Sequence, residues 1–447
     1  MVDKISVIGL GYLGIALSSL FASKGYKTYG YDTDFNKIKA LASGKLPIYE
    51  EGLREIYESS LRSGLLKVTS DPIETISNSD IVFITVGTPV NEDFTINYDQ
   101  LISSLETIGN ALRRSNKWCL IVNKSTVLPG TMSNLIRPRL EEHSGKKALI
   151  DFGLASNPEF VSEGSIIKDF LRPHRIVIGT YDERSLSVLE EFYVEFYEGR
   201  LPPIIRTTPE CAELIKYASN AFLSLKISYV NLIARACEKI GNCDVSIVAK
   251  GMGLDPRIGE LYLRAGIGFG GSCLPKDLKA FIKYLSDIGV NSSFLREALR
   301  INEEQPTHAA KLIEEKIGGF SGKVVCVLGL SFKGGTDDVR ESPSIKLINE
   351  IIKRGGLVKV YDPVAIKNAI EVLGNSVMYF NDPYEAAKGA DIVIIATEWP
   401  QFKELNFRAI REVMRGDILF DAKRILSKDI VKDSGLRYFG IGLSEVS

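Results

Sequence analysis

A glycine pattern close to the amino terminus constrains the fold of this chain more than any other feature. The apolar segment 4–8 runs into Gly9-x-Gly11-x-x-Gly14, and a helical stretch follows from 15 to 24. Gly9 permits a tight turn, Gly11 lets backbone approach a pyrophosphate, and Gly14 allows the helix to pack closely on the strand. The pattern predicts a strand-turn-helix unit that binds a dinucleotide at the helix amino terminus. A glycine turn in an unrelated α/β protein is the alternative.

An acidic residue follows the second predicted strand, 27–31. A carboxylate at Asp32 can accept both hydroxyls of a ribose and would repel a 2′-phosphate. We therefore expect NAD⁺ rather than NADP⁺ as the cofactor.

Two further segments, 80–89 and 118–126, are predicted as buried parallel strands that end in small polar residues. Ligands of doubly wound sheets lie at such carboxyl ends. Thr88, Ser125 and Thr126 are therefore candidate neighbours of a cofactor or an active site. For each of them, a helix cap or a turn former is the alternative.

The same alternation of strands and helices starts again at Lys323, with strands predicted at 324–330, 357–362, 390–397 and 418–421. The first turn of this half lacks the glycine fingerprint, so we expect a different phosphate-bearing ligand there, with Lys333 as its countercharge. The alternative is a structural domain with a flexible Gly334-Gly335 loop.

One long helix is predicted between the two halves. Thr208 is a capping residue, Pro209 stands at the first helical position, and Gly241 follows the helical segment 210–240. Such a helix would be about 45 Å long, so we expect it to bridge the halves and to pair between the subunits of a homodimer. The predicted fold class is α/β, with two Rossmann-like doubly wound domains joined by a long central helix.

Composition and charge limit the classes of partner. The 447 residues carry 55 basic and 56 acidic side chains, and this balance gives no field that would attract nucleic acid or an anionic membrane. No apolar run approaches the roughly 20 residues that span a bilayer, and no signal-peptide pattern is present. Six cysteines without a CxxC pair and three histidines without metal-ligand spacing favour a cytoplasmic protein with no metal site.

A cysteine in a glycine-rich segment is the candidate nucleophile. Four glycines between Ala265 and Cys273 lead to Pro275 and then to an amphipathic helical pattern. Cys273 is expected at the amino end of that helix, where N–H groups, the helix dipole and a cation such as Lys276 favour a thiolate. The alternative is a buried structural cysteine.

Polar residues form a stripe on the long helix. Lys216 and Asn220 are four residues apart and share a face, which Glu213, Ser224 and Ser228 continue. Taken alone, the stripe is typical of a solvated helix face.

Together these motifs resemble the UDP-glucose 6-dehydrogenases of the UDP-glucose/GDP-mannose dehydrogenase family. The most specific run is Gly270-Gly-Ser-Cys-Leu-Pro-Lys-Asp277, and the other matching stretches are 9–32, 47–53, 86–89, 124–126, 156–160, 163–164, 213–220, 255–259, 331–333, 337–342 and 397–399. The resemblance implies an NAD-binding domain at 1–200, a central helical dimerisation region with catalytic residues at 201–316, and a UDP-sugar-binding domain at 317–447. It also implies an enzyme of UDP-glucuronate and polysaccharide biosynthesis.

The reaction that the resemblance implies is the four-electron oxidation of UDP-glucose to UDP-glucuronate. Cys273 matches a nucleophile that traps a C6 aldehyde as a thiohemiacetal, which is oxidised to a thioester and hydrolysed. Lys216 and Asn220 match residues that hold the C6 oxygen. Asp277 matches an acid that orients Lys216 or activates water.

The remaining contacts are implied in the same way. Glu159 matches a carboxylate of proton transfer and thioester hydrolysis, beside Thr126, which places a water. Cofactor contacts are implied at Gly9, Gly11, Tyr12, Leu13, Gly14, Asp32, Lys37, Thr88, Thr126, Lys276 and Arg340. Substrate contacts are implied at Phe160, Glu163, Lys216, Asn220, Arg257, Phe269, Gly270 and Lys333, with Arg257 reaching the substrate of the neighbouring subunit.

Three positions depart from the family pattern. The proline of Val127-Leu-Pro-Gly130 is displaced by one place, so the shape of that loop does not follow from the family pattern. Lys423 stands where arginine is usual, with Arg424 beside it, and lysine cannot form a bidentate fork. Gly334-Gly335 replaces a charged pair.

Several alternatives remain open at this point. GDP-mannose dehydrogenases share the cysteine run, although Arg257-Ile-Gly259 favours UDP-glucose, and Ser272 stands where enzymes for UDP-N-acetylhexosamines have histidine. A two-electron hydroxyacid dehydrogenase would need Lys216 but not Cys273. A non-catalytic NAD-sensing module is the non-enzyme alternative.

Overall fold

The computed structural model describes residues 2–77 and 79–444. The chain divides into two compact units, Met1–Ser219 and Asn220–Ser447, and one long helix, α9 (Pro209–Lys239), runs through the division. No described helix is both long and apolar enough to cross a bilayer.

The first unit is built on one sheet. Its strands are β1 (Lys4–Ile8), β2 (Lys27–Tyr31), β3 (Leu66–Thr69), β4 (Ile81–Ile84), β5 (Leu120–Asn123), β6 (Gly153–Ser156), β7 (Ile176–Thr180) and β8 (Ile204–Thr207). They are ordered β3-β2-β1-β4-β5-β6-β7-β8, and each pairing is parallel except that of β6 with β7. Because β1 lies between β2 and β4, the chain crosses over at β1, which is where ligands of such sheets bind.

Helices cover this sheet, which explains why β4 and β5 are fully buried and almost entirely apolar. The helices are α1 (Tyr12–Ser23), α2 (Phe35–Ala42), α3 (Leu53–Arg62), α4 (Pro72–Ile76), α5 (Asp99–Arg113), α6 (Arg137–Ser144), α7 (Ile166–Leu171) and α8 (Glu183–Phe196), with a π-helical turn at Met132–Ile136. Aromatic rings of Phe21, Phe83 and Phe192 pack together in the core, with centroids 5.1 to 5.7 Å apart.

The second unit repeats the architecture with a smaller sheet. Its strands are β9 (Val324–Leu328), β10 (Leu357–Tyr361), β11 (Met378–Tyr379), β12 (Ile392–Ile395), β13 (Ile418–Asp421) and β14 (Arg437–Gly440). They are all parallel, in the order β11-β10-β9-β12-β13-β14. The helices are α10 (Val245–Gly253), α11 (Leu274–Asp287), α12 (Ser293–Ile317), α13 (Pro343–Lys353), α14 (Ile366–Leu373), α15 (Pro383–Ala387), α16 (Phe407–Val413) and α17 (Lys428–Lys432), with a 3₁₀ turn at Pro400–Lys403.

The predicted α/β class, with two doubly wound sheets and a long helix between them, is confirmed. Several boundaries differ from the predictions. α1 begins at Tyr12, three residues before the predicted start, and the strand predicted at 80–89 ends at Ile84. Gly11 rather than Gly14 stands at the amino-terminal cap, so the last fingerprint glycine lies inside the helix.

Candidate active site

The fingerprint turn has the shape that a dinucleotide requires. Gly9 has a φ of +95°, which favours glycine, and a Cβ on Gly14 would lie 1.9 Å from the Gly9 carbonyl oxygen. A Cβ on Gly11 would meet nothing within 4 Å, so the space outside the turn is open. No side chain caps α1, and Tyr12 and Leu13 form its first turn. The residues present therefore fit a pyrophosphate at this helix end.

Asp32 lies at the carboxyl end of β2 and is nearly buried. Its Oδ2 accepts the Leu10 N–H at 2.9 Å and the Lys37 Nζ at 2.7 Å, and its Oδ1 accepts the Asp34 N–H. Burial alone would raise the pKa of Asp32, but the Lys37 ammonium and these N–H donors outweigh burial and hold the pKa below its ordinary value. Asp32 is thus an ionised acceptor beside the fingerprint turn, and two predicted cofactor residues, Asp32 and Lys37, are in direct contact.

Thr88 and Thr126 are also brought together. The Thr88 Oγ1 donates to the Thr126 carbonyl oxygen at 2.7 Å, and the Ser125 Oγ donates to Val86. Beyond Thr126 the chain makes a turn closed by the Thr131 N–H and the Leu128 oxygen, 3.0 Å apart. Pro129 and Gly130, whose φ is +91°, occupy the two central positions, which is the sequence preference of a type II turn. The displaced proline thus gives the loop a regular shape.

Lys216 of α9 forms an ion pair with Glu159 in the first unit. Their Nζ and Oε1 are 2.9 Å apart, and only 4% of the lysine side chain and 11% of the glutamate side chain are exposed. The other glutamate oxygen accepts the Val161 N–H at 2.6 Å. The Phe160 ring lies 5.5 Å from Lys216 Nζ and 3.9 Å from the Arg175 guanidinium. Three predicted site residues, Glu159, Phe160 and Lys216, therefore form one cluster.

A buried lysine stands next to this cluster and was not predicted as a site residue. Lys124 Nζ donates to the side-chain and main-chain oxygens of Asn157, at 2.9 and 3.1 Å. The Tyr193 hydroxyl donates to the same Asn157 side chain, whose Nδ2 donates to Val177. Burial is the main reason that the pKa of Lys124 is lowered to about 7; of the smaller effects, the Glu159 carboxylate raises this pKa and the Lys216 ammonium lowers it. The sequence signal for Lys124 was its place in the matching stretch 124–126.

Glu163 lies in the loop before α7, and a second residue that was not predicted, the acid Glu50, organises this loop. Glu50 is buried and accepts the N–H groups of Gly164 and Ile166 at 2.7 and 2.6 Å. Because both N–H groups flank the start of α7, Glu50 fixes the loop that carries Glu163. Glu50 belongs to the matching stretch 47–53, which was its only sequence signal.

The polar stripe on α9 is not a solvated face. Glu213, Lys216, Asn220, Ser224 and Ser228 are each at most 7% exposed. Each has a partner that compensates for its burial, as buried polar groups require. In the second unit the Asn220 amide donates to Asp277 Oδ2 at 2.6 Å, and Asp277 also accepts from Lys276 Nζ at 2.5 Å.

Cys273 stands at the amino-terminal cap of α11, as predicted. It is partly exposed, its sulfur is 3.6 Å from the Ser272 hydroxyl oxygen, and its carbonyl accepts the Asp277 N–H at 2.8 Å. Pro275 lies in the first turn of the helix, where a missing N–H costs nothing. The dipole of this 14-residue helix favours negative charge at the sulfur.

The glycine loop before Cys273 is held by its neighbours in the second unit. The buried Asn302 side chain accepts the Phe269 N–H at 2.7 Å and donates to the Phe269 oxygen at 3.1 Å. A Cβ on Gly270 would lie 2.3 Å from the Glu341 oxygen, and one on Gly271 would lie 2.7 Å from the Phe332 ring. The loop therefore packs directly on the segment 329–342, which also carries Lys333 and Arg340.

That segment differs from a dinucleotide turn in two ways. It runs for 14 residues between β9 and α13, so no helix follows the turn directly. Asp362, at the end of β10, corresponds in position to Asp32, but it is 1% exposed. It accepts the N–H groups of Leu330 and Ser331, at 2.7 and 3.2 Å, and the Trp399 indole N–H at 3.3 Å. The hydrogen bonds of Asp362 are thus made within the fold, and its carboxylate is not exposed to a ribose.

The departures from the family pattern have local explanations. A Cβ on Gly334 would lie 2.6 Å from the Glu398 oxygen, so the backbone is crowded there, and Gly335 has a φ of +87°, which favours glycine. Lys423 is buried and its Nζ is 3.4 Å from Glu398. Arg424 donates to Asp244 at 2.6 Å.

Arg340 and Arg257 are each held by a neighbouring carboxylate. Arg340 pairs with Asp338 through two nitrogens, at 2.7 and 2.9 Å. Arg257 pairs with Asp255 in the same way, at 2.6 and 3.0 Å, and 87% of its side chain is exposed. The Arg257 side chain is therefore on the surface of its unit.

Comparisons with known proteins place the chain in one family. It matches the NAD binding domain of the UDP-glucose/GDP-mannose dehydrogenase family at residues 3–197, the central domain at 210–304 and the UDP binding domain at 326–428. It is 38% identical over 439 residues to the UDP-glucose 6-dehydrogenase TuaD of Bacillus subtilis, covering 98% of this chain and 93% of the relative.

Two solved structures are similar to the whole chain. A UDP-glucose dehydrogenase from the hyperthermophilic archaeon Pyrobaculum islandicum has a TM-score of 0.90 and 39% identity, covering 99% of this chain and 98% of that one. A UDP-D-ManNAc dehydrogenase from Pyrococcus horikoshii has a TM-score of 0.84 and 31% identity, covering 98% and 99%. The chain belongs to the UDP-glucose/GDP-mannose dehydrogenase family.

Proposed function

We propose that the chain oxidises UDP-glucose to UDP-glucuronate with two molecules of NAD⁺, through an intermediate bound to Cys273. The placement of Cys273 at the start of α11, next to the loop that Asn302 holds, carries the proposal. The family assignment supplies the cofactor, NAD, through the matched NAD binding domain. UDP-glucose is preferred to GDP-mannose because relatives at 37 and 38% identity over nearly the full chain are UDP-glucose 6-dehydrogenases.

The chain's own residues have the following proposed roles. Lys216 and Asn220, one turn apart on α9, hold the C6 oxygen, and the ammonium stabilises negative charge that forms there. The Cys273 thiolate adds to the C6 aldehyde, and the resulting thiohemiacetal is converted to a thioester. Glu159, with Thr126, handles protons and water in thioester hydrolysis, and Asp277 positions Asn220. When bound, NAD⁺ would supply the hydride acceptor for both oxidations.

The binding residues follow the same proposal. Gly9, Gly11, Gly14, Asp32 and Lys37 would hold NAD, together with Tyr12, Leu13, Thr88, Thr126, Lys276 and Arg340. Phe160, Glu163, Phe269, Gly270 and Lys333 would contact the sugar nucleotide, with Arg257 acting toward the neighbouring subunit. The proposal also includes three functional regions, 1–200, 201–316 and 317–447, and a cytoplasmic location.

A homodimer is part of the proposal. One face of α9 that is distinct from the polar stripe carries apolar side chains in the solvent. Leu214, Phe222, Tyr229 and Leu232 are 41 to 61% exposed. Their spacing of 8, 7 and 3 residues keeps them along one side of a helix. A second copy of α9 is the simplest element that would cover this face.

The test is substrate oxidation with a panel of nucleotide sugars, counting NADH and acid product. UDP-glucose should give the highest kcat/KM and two NADH per acid, without free aldehyde. Cys273→Ser should bind NAD⁺ and substrate but lose turnover, because its hydroxyl has a pKa far above neutrality. Lys216→Ala should slow the first oxidation, by about 10²–10³-fold if it acts as an oxyanion donor.

The outcomes separate the alternatives. A higher kcat/KM for GDP-mannose would replace the substrate and keep the mechanism. One NADH per substrate, or full activity of Cys273→Ser, would make the protein a two-electron dehydrogenase. NAD⁺ binding without turnover of any sugar nucleotide would indicate a sensing module.

A further inference from the structure

Two cysteines outside the candidate active site lie in contact in the second unit. The sulfur atoms of Cys237 and Cys243 are 2.6 Å apart, which is closer than two non-bonded sulfurs approach in a packed core. Cys237 is 2% exposed, and Cys243 is partly exposed and packs on the same apolar core. The other four cysteines lie elsewhere in the chain: Cys119 just before β5, Cys211 near the start of α9, Cys273 at α11, and Cys326 in β9.

The backbone explains why these two sulfurs meet. Cys237 lies in the last turn of α9, which ends at Lys239, and Gly241 and Asn242 reverse the chain. Asn242 has a φ of +56°, a left-handed conformation that asparagine tolerates better than most residues. The reversal returns Cys243 to the end of the helix. Local geometry therefore fixes the thiol pair.

The returning segment is bound to the carboxyl-terminal strand region. The Cys243 N–H donates to the Ser444 hydroxyl at 2.7 Å, and the Ser444 N–H donates to the Cys243 oxygen at 3.0 Å. The Val245 N–H donates to the Gly442 oxygen, and the Gly442 N–H donates to Glu238 at 2.8 Å. A covalent bond at this point would tie the end of α9 to the segment that holds the tail.

We infer that Cys237 and Cys243 form a site of thiol–disulfide exchange, at which a low-molecular-weight disulfide such as oxidised glutathione converts the two thiols into an intramolecular disulfide. Cys243 is the entry point because it is partly exposed. Its thiolate attacks one sulfur of the reagent, and the first glutathione thiolate leaves. Cys237 then gives up its proton and attacks the Cys243 sulfur, and the second glutathione leaves. One disulfide is reduced to two thiols, and two protein thiols are oxidised to one disulfide.

Peptide mapping of the full-length protein gives a direct test. Reduced protein is incubated with oxidised glutathione, free thiols are alkylated with iodoacetamide under denaturing conditions, and the protein is digested with trypsin without reduction. Cleavage after Arg235, Lys239 and Lys250 places the two cysteines in separate peptides, 236–239 and 240–250. The expected result is a linked pair of these two peptides, which a reductant separates. Alkylation of both cysteines, or glutathione that remains on Cys243, would overturn the inference.

Thermal unfolding provides a second readout. The cross-link restricts the unfolded chain, so oxidation should raise the apparent Tm of the wild type by about 5 °C, reversed by reductant. Cys243→Ser should lose this rise. Cys211→Ser is the matched control, because Cys211 lies on the same helix about 39 Å away and should keep it. An equal rise in Cys243→Ser would assign the effect to another thiol, and a wild type whose Tm does not respond would refute stabilisation by this link.

Discussion

The Asp32 carboxylate is the residue on which cofactor choice should depend. It is ionised, and one of its oxygens is bound to the Lys37 ammonium at 2.7 Å. Replacing Asp32 with Ser removes the negative charge and leaves Lys37 without this partner, so a 2′-phosphate would be accepted more easily. We expect NAD⁺ binding to weaken about tenfold or more, since hydrogen bonds to a charged group contribute about 1.5–3 kcal/mol each. The ratio of kcat/KM for NAD⁺ and NADP⁺ measures the effect, and an unchanged ratio would contradict it.

Lys124 should make the stability of the native state depend on pH. Its pKa is about 7 in the native state, because it is buried, and near its ordinary value of 10.5 in the unfolded chain. Between these values the unfolded state binds a proton that the native state lacks, so the free energy of unfolding rises with pH. The limiting slope is about 1.4 kcal/mol per pH unit.

Replacing Lys124 with Met keeps the length of the side chain and removes this slope. Urea unfolding of both proteins between pH 6 and 9.5 gives the difference in free energy of unfolding. The free energy of unfolding of the wild type minus that of the variant should be constant below about pH 7 and should rise above it. Parallel curves across the whole range would mean that Lys124 stays charged in the fold.

At the scale of elements, Glu213 connects α9 to the turn after Thr126. Its two oxygens accept the N–H groups of Gly130 and Met132, at 2.7 and 3.0 Å. Burial raises the pKa of Glu213 to about 8, even though these two donors favour the ionised form. The pKa of this carboxyl in the unfolded chain is 4.5, so between about pH 4.5 and 8 the native state holds a proton that the unfolded state has released. The free energy of unfolding therefore falls as pH rises through this range.

Glu213→Gln removes the titration and retains the shape. The excess stability of the wild type over this variant should shrink as pH rises from 5 to 8, by up to about 1.4 kcal/mol per pH unit. Denaturant unfolding of both proteins at three pH values measures this difference in the free energy of unfolding. A gap that stays constant would show that the two N–H donors keep Glu213 ionised, and then the loss of one acceptor should cost about 1 kcal/mol at every pH.

At the scale of the whole molecule, the apolar face of α9 should decide the oligomeric state. Phe222 and Tyr229 are 61% and 47% exposed and stand two helical turns apart. Replacing both with Asp would place two charges in a dimer interface, and several kcal/mol of desolvation would oppose association. Light scattering after size-exclusion chromatography should give the mass of two chains for the wild type and of one chain for the double variant.

Ile150 provides the matched control for the dimer prediction. It is 67% exposed in the loop between α6 and β6 and does not belong to α9, so Ile150→Asp should elute as the wild type does. A wild type with the mass of one chain, or a double variant that remains a dimer, would contradict pairing through this face.

The sequence by itself determined the local structure of this protein. The strands at 4–8 and 27–31, the turn at Gly9 and the position of Cys273 at the start of α11 follow from short-range preferences. Apolar strand runs, glycine where φ is positive, and proline in the first helical turn each constrain the backbone within a few residues. The strand-helix order then limited the fold to doubly wound sheets, because parallel strands need crossover helices.

Only the tertiary structure decided which side chains meet across long stretches of sequence. The polar stripe of α9 is indistinguishable from a solvated face until its partners are known, and Lys216 is buried because Glu159, 57 residues away, neutralises it. Asp32 and Asp362 follow equivalent strands, but Asp32 accepts one N–H group from the adjacent turn, that of Leu10, whereas Asp362 accepts two N–H groups from its turn and an indole N–H as well. Such differences depend on burial and on the order of strands in the sheet. A pattern of residues along the chain does not encode them locally, because a buried charge is stable only with a partner that the fold supplies.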